Sequence, residues 1–99
     1  MDVDPLRGIR ALDEELIDRN EVGRQVAFSS GALQAKVKLL MAMAIDSALG
    51  TPHGVRSLAQ QALQAGATRE EVAEAVRVAV YVAGGFSFYN CGRGLDGLF

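Results

Sequence analysis

The amino-acid sequence predicts an all-α domain of five to six helices built around a central antiparallel pair, and three observations carry that reading. Apolar residues recur at helical spacing through most of the chain, matched cap and stop residues bracket its central segments, and no stretch alternates with period two between turn signals. The one valine-rich run, Val76 to Val82, continues a helical pattern that begins at Arg69, so it reads as helix despite its β-branched residues. At 99 residues the chain makes one domain, 1–99, with room for a single modest core.

From Pro5 to Ile17 the residues Ile9, Leu12, Leu16 and Ile17 share a helical face, and Pro5 suits a first-turn position. Asp18 followed by Glu21 resembles a second cap signal, which predicts a short helix carrying Val22 and Val26 before Ser29-Ser30-Gly31 breaks it. The segment 35–49 is apolar at every position from Leu39 to Ile45 and stops at Gly50, so it needs cover on nearly all sides. Thr51 then stands as an N-cap with Pro52 at the first helical position, and Val55, Leu58, Ala59, Ala62 and Leu63 make a clean amphipathic stripe over 52–65. Gly66 closes that helix. Thr68 and Glu71 form a capping box for the next one, whose Glu70, Glu74, Arg77 and Tyr81 leave a wide apolar arc of alanines and valines that one small domain cannot bury alone. Gly84-Gly85 interrupts, and a last helix from Phe86 to about Leu95 is expected to turn Phe88, Tyr89 and Leu95 inward.

Composition narrows the function classes. An apolar fraction of 49% is high for so short a chain and predicts a homo-oligomer whose subunit contacts cover the surplus. A net charge of −2 with no basic stripe argues against nucleic acid. The longest apolar runs, Leu39 to Ile45 and Val78 to Phe86, fall well short of the roughly 20 residues that span a bilayer, so no membrane segment is expected. A single cysteine, Cys91, cannot form an internal disulfide, and Met1 to Arg10 lacks the charged-then-apolar order of a secretory signal, which gives a cytoplasmic reading.

The run from Ala32 to Gly85 carries a resemblance. Its AKVKLLMAMAIDSALG segment with the Lys36-x-Lys38 opening, its Gly66-Ala67-Thr68-x-Glu70-Glu71 cap, the alanine and valine helix that follows and the closing Gly84-Gly85 resemble, in order and without a gap, the carboxymuconolactone decarboxylase and alkylhydroperoxidase D superfamily. The core match is 32–85. The resemblance implies an all-helical subunit that assembles as a trimer or a hexamer. In the peroxidase branch it implies a Cys-x-x-Cys pair at the start of the helix after the alanine-rich one, where a helix N-terminus stabilises a thiolate and a second thiol resolves the oxidised first. Here Thr51 and Gly54 stand at those two places, Leu58 stands where that branch keeps a proton-relaying histidine, and Leu39 stands at its upstream glutamate. The decarboxylase branch also implies an acid-base histidine near Leu58. The chain therefore reads as a divergent member without the redox cysteines.

Each candidate residue has a chemical reading and a plainer one. His53 is the only histidine and lies in the Thr51-Pro52-His53-Gly54 turn, where a neutral imidazole could act as acid-base and free amides around Thr51 and Gly54 could hold a carboxylate; the plain reading is an exposed first-turn residue. Asp46 and Ser47 lie one turn before Gly50 and could face the same pocket as His53, with Asp46 as a second catalytic group, or form only a solvated notch or subunit contact. Leu39, Leu58 and Tyr89, with Phe86 and Phe88, could wall an apolar pocket or simply be core. Cys91 could be a lone redox thiol but reads better as a buried small residue. Lys36 and Lys38 are expected to pair with acidic groups of a neighbouring subunit. No metal and no cofactor is called for. Three functions follow: a non-redox oligomeric scaffold for a ligand or partner, slightly favoured; an acid-base lyase or isomerase acting through His53 on a small carboxylate; and a peroxidase acting through Cys91.

Overall fold

The computed structural model describes residues 4–99, and among the described residues every regular element is a helix. The part of the secretory-signal reading that rests on residues 1–3 lies outside them. The helices are α1 (Arg7–Leu12), α2 (Glu14–Phe28), α3 (Ala35–Leu49), α4 (Pro52–Gln64), α5 (Arg69–Ala83) and α6 (Gly85–Gly94). No helix among the described residues is long and apolar enough to cross a membrane.

The N-terminal region differs from the sequence expectation. The break falls at Asp13, whose backbone leaves the helical region (φ −152°, ψ 89°) and whose side chain accepts a 3.0 Å hydrogen bond from the Leu16 amide. Asp13 is thus the N-cap, with Glu14 and Glu15 favourably placed in the first turn, and Asp18 lies inside a continuous α2. Ile17 is the buried residue of this hairpin, which leans on the rest of the fold.

The predicted central pair is present. The chain reverses at Gly50, and α4 returns along α3 with Thr51 accepting from the Gly54 amide at 3.2 Å and Pro52 in the first turn. The α5 cap is the full reciprocal box: Thr68 Oγ1 accepts from the Glu71 amide at 3.1 Å and Glu71 Oε1 accepts from the Thr68 amide at 2.9 Å. Met43, Val55, Ala59, Val72 and Cys91 form the main core, flanked by a smaller cluster of Leu39, Ala62 and Ala67. Burying a side chain such as Met43 or Val72 contributes about 1.5 to 3 kcal/mol.

Two expectations are corrected here. Lys36 and Lys38 find partners within their own chain: Lys36 Nζ lies 3.1 Å from Glu71 Oε2, tying α3 to the α5 cap, and Lys38 Nζ donates to the Ser29 carbonyl at 2.7 Å, pinning the α2–α3 connection. On α6 the inward face is Ser87, Asn90, Cys91 and Gly94, at i, i+3, i+4 and i+7, while Phe86, Phe88 and Tyr89 point outward and are each more than half exposed. The physical reason is close approach. A Cβ on Gly94 would lie 2.5 Å from the Pro52 carbonyl oxygen and 3.0 Å from Val55 Cβ, so α6 can cross α4 only on its small residues.

Candidate functional site

The start of α4 gathers Thr51, His53 and Gly54, and Asp46 reaches it from α3. A helix N-terminus leaves four amides without intrahelical partners. At this one Pro52 has no N–H, Thr51 Oγ1 takes the Gly54 amide, and the backbone amides of Thr51 and His53 remain from the four. Thr51 is therefore an N-cap in the ordinary sense, and the His53 side chain is exposed in the first turn.

Asp46 completes the arrangement from α3. Its carbonyl accepts from the Gly50 amide at 2.7 Å, and its half-buried carboxylate folds over the chain reversal against Gly50 and Gly54. A Cβ at Gly50 would overlap Asp46 Oδ1, and one at Gly54 would overlap Asp46 Oδ2. Glycine at both positions is thus required by the carboxylate in this rotamer. The positive end of the α4 dipole has an anion beside it, and the chain itself supplies that anion.

The other candidates disperse. Ser47, adjacent to Asp46 in sequence, points the opposite way and is fully buried against α6. Leu39 packs with Ala62 and Ala67, and Leu58 bridges the two core clusters, so both serve the interior of the subunit. Tyr89 stands on the outer surface of α6, edge-on to Phe88 at 5.7 Å with the Arg93 guanidinium over its ring at 5.8 Å. Of the three residues expected to wall one pocket, Leu39 and Leu58 share a core cluster and Tyr89 stands apart from them.

A second cluster was not anticipated. Ser47 Oγ donates to the Ala44 carbonyl at 2.7 Å, which uses its one proton, so Ser87 is the donor in the 2.6 Å Ser87–Ser47 contact. Asn90 Nδ2 donates to the Ser47 carbonyl at 3.0 Å, and the Cys91 thiol lies against both hydroxyls. Burial pushes the Cys91 thiol above its ordinary pKa, an effect that its contacts with Ser47 and Ser87 only partly oppose. With its thiol beside two hydroxyls and an amide, the cluster ties α3 to α6. The signal in the sequence was the spacing 87, 90, 91 and 94, hidden because its residues are small and polar.

Two open depressions mark the surface. A groove of about 340 Å³ runs between α3 and α5, floored by Ala44, Ala48 and Ala79 and almost without polar lining. A cleft of about 390 Å³ between α5, α6 and the C-terminal tail reaches down to Cys91 among Val76, Leu95 and Phe99. Among the described residues no group of three or more His, Cys, Asp or Glu is placed to hold a metal ion.

Comparison with known proteins places this geometry. The carboxymuconolactone decarboxylase family model matches residues 15–88. Among solved structures, the chain is similar to the apo form of a carboxymuconolactone decarboxylase family protein from Legionella pneumophila, with a TM-score of 0.83 and 34% identity over 92% of this chain and 81% of that one. It is also similar to a protein from Thermotoga maritima, with a TM-score of 0.68 and 25% identity over 91% of this chain and 85% of the other. No curated protein sequence matches it.

Proposed function

The chain belongs to the carboxymuconolactone decarboxylase family, and from that premise we propose that it is a non-redox member: a homo-oligomeric scaffold, a trimer or a hexamer, that binds a ligand or partner without oxidising it. The observation that carries the proposal is the use to which the four altered positions are put. Thr51 caps α4, Gly54 lies under the Asp46 carboxylate, and Leu39 and Leu58 pack in the core. Each side chain has a structural task, and none of the four is a thiolate that could give an electron pair to a peroxide or an acid-base group that could relay its proton. The one thiol, Cys91, is buried, held protonated at neutral pH, and has no second cysteine to resolve it. A free buried thiol is also the ordinary state in the cytoplasm, where we place the protein.

One observation favours a second reading. Asp46 and His53 belong to the same chain reversal, Asp46 folded over it and His53 exposed at its surface, and an imidazole and a carboxylate within reach of one substrate are the usual kit for proton transfer. An acid-base lyase or isomerase would use His53 for that step. Its proposed substrate, a small carboxylate, would have to approach a helix end beside which Asp46 already sits, and like charges disfavour that approach.

The test is a turnover assay on the purified protein with hydroperoxide plus a thiol reductant, and separately with small unsaturated lactone carboxylates. The scaffold reading expects no turnover in either. Turnover of a carboxylate that is lost in His53→Ala, with the assembly intact, would replace it by the acid-base reading. Hydroperoxide consumption that is lost in Cys91→Ser would replace it by a one-cysteine peroxidase.

A further inference from the structure

The α3–α5 groove is lined almost wholly by apolar atoms. Met41, Ile45 and Leu49 form a ridge at i, i+4 and i+8 on α3, exposed by 48%, 58% and 81%, and Val78 and Val82 form the facing ridge on α5, exposed by 62% and 78%. Between the ridges Ala44, Ala48, Ala79 and Ala83 make a floor on which a helix can lie close. A second depression of about 220 Å³, which shares Ala44 and Val78 with the first, extends the groove toward Val37 and Ala75. Glu74, Arg77 and Tyr81 are exposed along its α5 edge. An apolar centre with a polar rim is the anatomy of a protein interface.

We propose that this face is covered by the same face of a second copy of the chain, in a two-fold contact that seats the Ile45 and Val82 ridges in the partner's alanine floor and that, of the two assemblies proposed above, the hexamer alone supplies. Three features select that occupant. Ridge and floor follow the same i±4 spacing, so the face carries both halves of a ridges-into-grooves contact and is complementary to itself. The exposed apolar side chains of this face, with Tyr81, amount to on the order of 700 Å² per copy, close to the roughly 800 Å² per partner of a stable interface. The groove itself presents no charge, which removes nucleic acid and anionic surfaces as partners. Two other surfaces carry exposed apolar side chains: on α2, Val22 and Val26 alternate with the Glu15–Arg19 ion pair and Arg24, and on α6 and the C-terminal tail, Phe86, Phe88, Tyr89 and Phe99 are interleaved with the exposed Arg93 and Asp96.

This inference rests on the oligomeric reading above, and the experiment separates the two. The mass of the unmodified chain is measured by size-exclusion chromatography with light scattering at tens of micromolar, beside Ile45→Glu, Val82→Lys and, as a control on α2, Val22→Glu. The expected result is an assembly for the unmodified chain and for Val22→Glu. The two groove variants should fall to a smaller species with helical circular dichroism retained, since both positions are solvent-exposed in the subunit. A monomeric unmodified chain would overturn the oligomer and the interface together; an assembly that survives both groove substitutions would overturn the interface alone. Should a variant aggregate, hydroxyl-radical footprinting of the unmodified chain decides: Met41 and Leu49 protected when concentrated and oxidised after dilution supports the contact, and equal oxidation at both concentrations refutes it.

Discussion

Replacing Gly94 with alanine sets two physical effects against each other, and the structure says which wins. An alanine in a helix is ordinarily about 0.5 to 1 kcal/mol better than a glycine, because the unfolded chain has less freedom to lose. At Gly94 the added Cβ would meet the Pro52 carbonyl oxygen at 2.5 Å and Val55 Cβ and Cγ1 at 3.0 and 3.1 Å. Neither neighbour can swing aside: one is backbone in the first turn of α4, the other a β-branched side chain that is fully buried. Forcing a methyl to 2.5 Å from backbone takes the upper part of the usual overpacking cost, about 2 to 3 kcal/mol, so Gly94→Ala should destabilise by a net amount of about 1 to 2 kcal/mol. Gly92, two residues earlier on the same helix, has open space where its Cβ would be, so Gly92→Ala should show the propensity gain alone. At about 4 to 8 °C per kcal/mol for a domain of this size, Gly94→Ala should melt about 5 to 15 °C below the unmodified chain and Gly92→Ala about 2 to 8 °C above it. Thermal denaturation followed by circular dichroism at one fixed protein concentration measures both, since assembly makes Tm concentration-dependent. A Gly94→Ala protein that melts at or above Gly92→Ala would refute the claim that α6 is held against the α4 start by close backbone approach.

Two further outcomes follow from the same geometry. The buried Cys91 thiol has a folded-state pKa above its unfolded value, so the stability it contributes is complete below about pH 8.5 and is lost as pH rises through the folded value; Tm should fall more steeply on the alkaline side in the unmodified chain than in Cys91→Ser, and parallel profiles would contradict this. The Cβ of Gly54→Cys would displace the Asp46 carboxylate from its present rotamer, but on the same chain reversal its charge still disfavours thiolate; the pH profile of alkylation by iodoacetamide should shift down by about one unit when Asp46→Asn is added, and an unchanged profile would refute this.

What could be read from the sequence follows a physical division. Features set by local chemistry were legible: the Thr68–Glu71 box, the Thr51 cap with Pro52, and the stops at Gly50 and Gly66 depend on residues within one turn of each other, and all stand where expected. The α1–α2 break was misplaced because Asp13 and Asp18 are equally good caps by composition, and only the path of the chain selects Asp13. The inward face of α6 was misassigned at Phe88 and Tyr89 for a different reason, whereas Leu95 packs against the core as expected. Hydrophobicity assigns Phe88 and Tyr89 to the interior, but the separation of α6 from α4 leaves room only for Ser87, Asn90, Cys91 and Gly94, and separation between helices is a property of the assembled fold. The resemblance located the α4 start and its four altered positions. It could not foresee that a carboxylate from the preceding helix would lie where a side chain at position 54 would project.

That last point accounts for why the scaffold can persist while these positions change. The start of a helix carries partial positive charge and free amides, and a negative group nearby stabilises it by about 0.3 to 1 kcal/mol, more when partly buried. In the peroxidase branch that the sequence resembles, a thiolate at the helix start would supply such a group. Here Asp46 does so from α3, through the space that Gly50 and Gly54 leave open. Thr51, in place of the first thiol, keeps the cap through its hydroxyl, and α6 braces the same turn from the other side, where Arg56 Nη1 donates to the Gly94 and Asp96 carbonyls at 3.2 and 2.6 Å. The electrostatic and packing needs of the α4 start are thus met without a redox group. Under the reading proposed above, Asp46 and Gly54 act as a pair: an aspartate one turn before the chain reversal supplies the anion, and glycine at position 54 leaves the space in which its carboxylate lies.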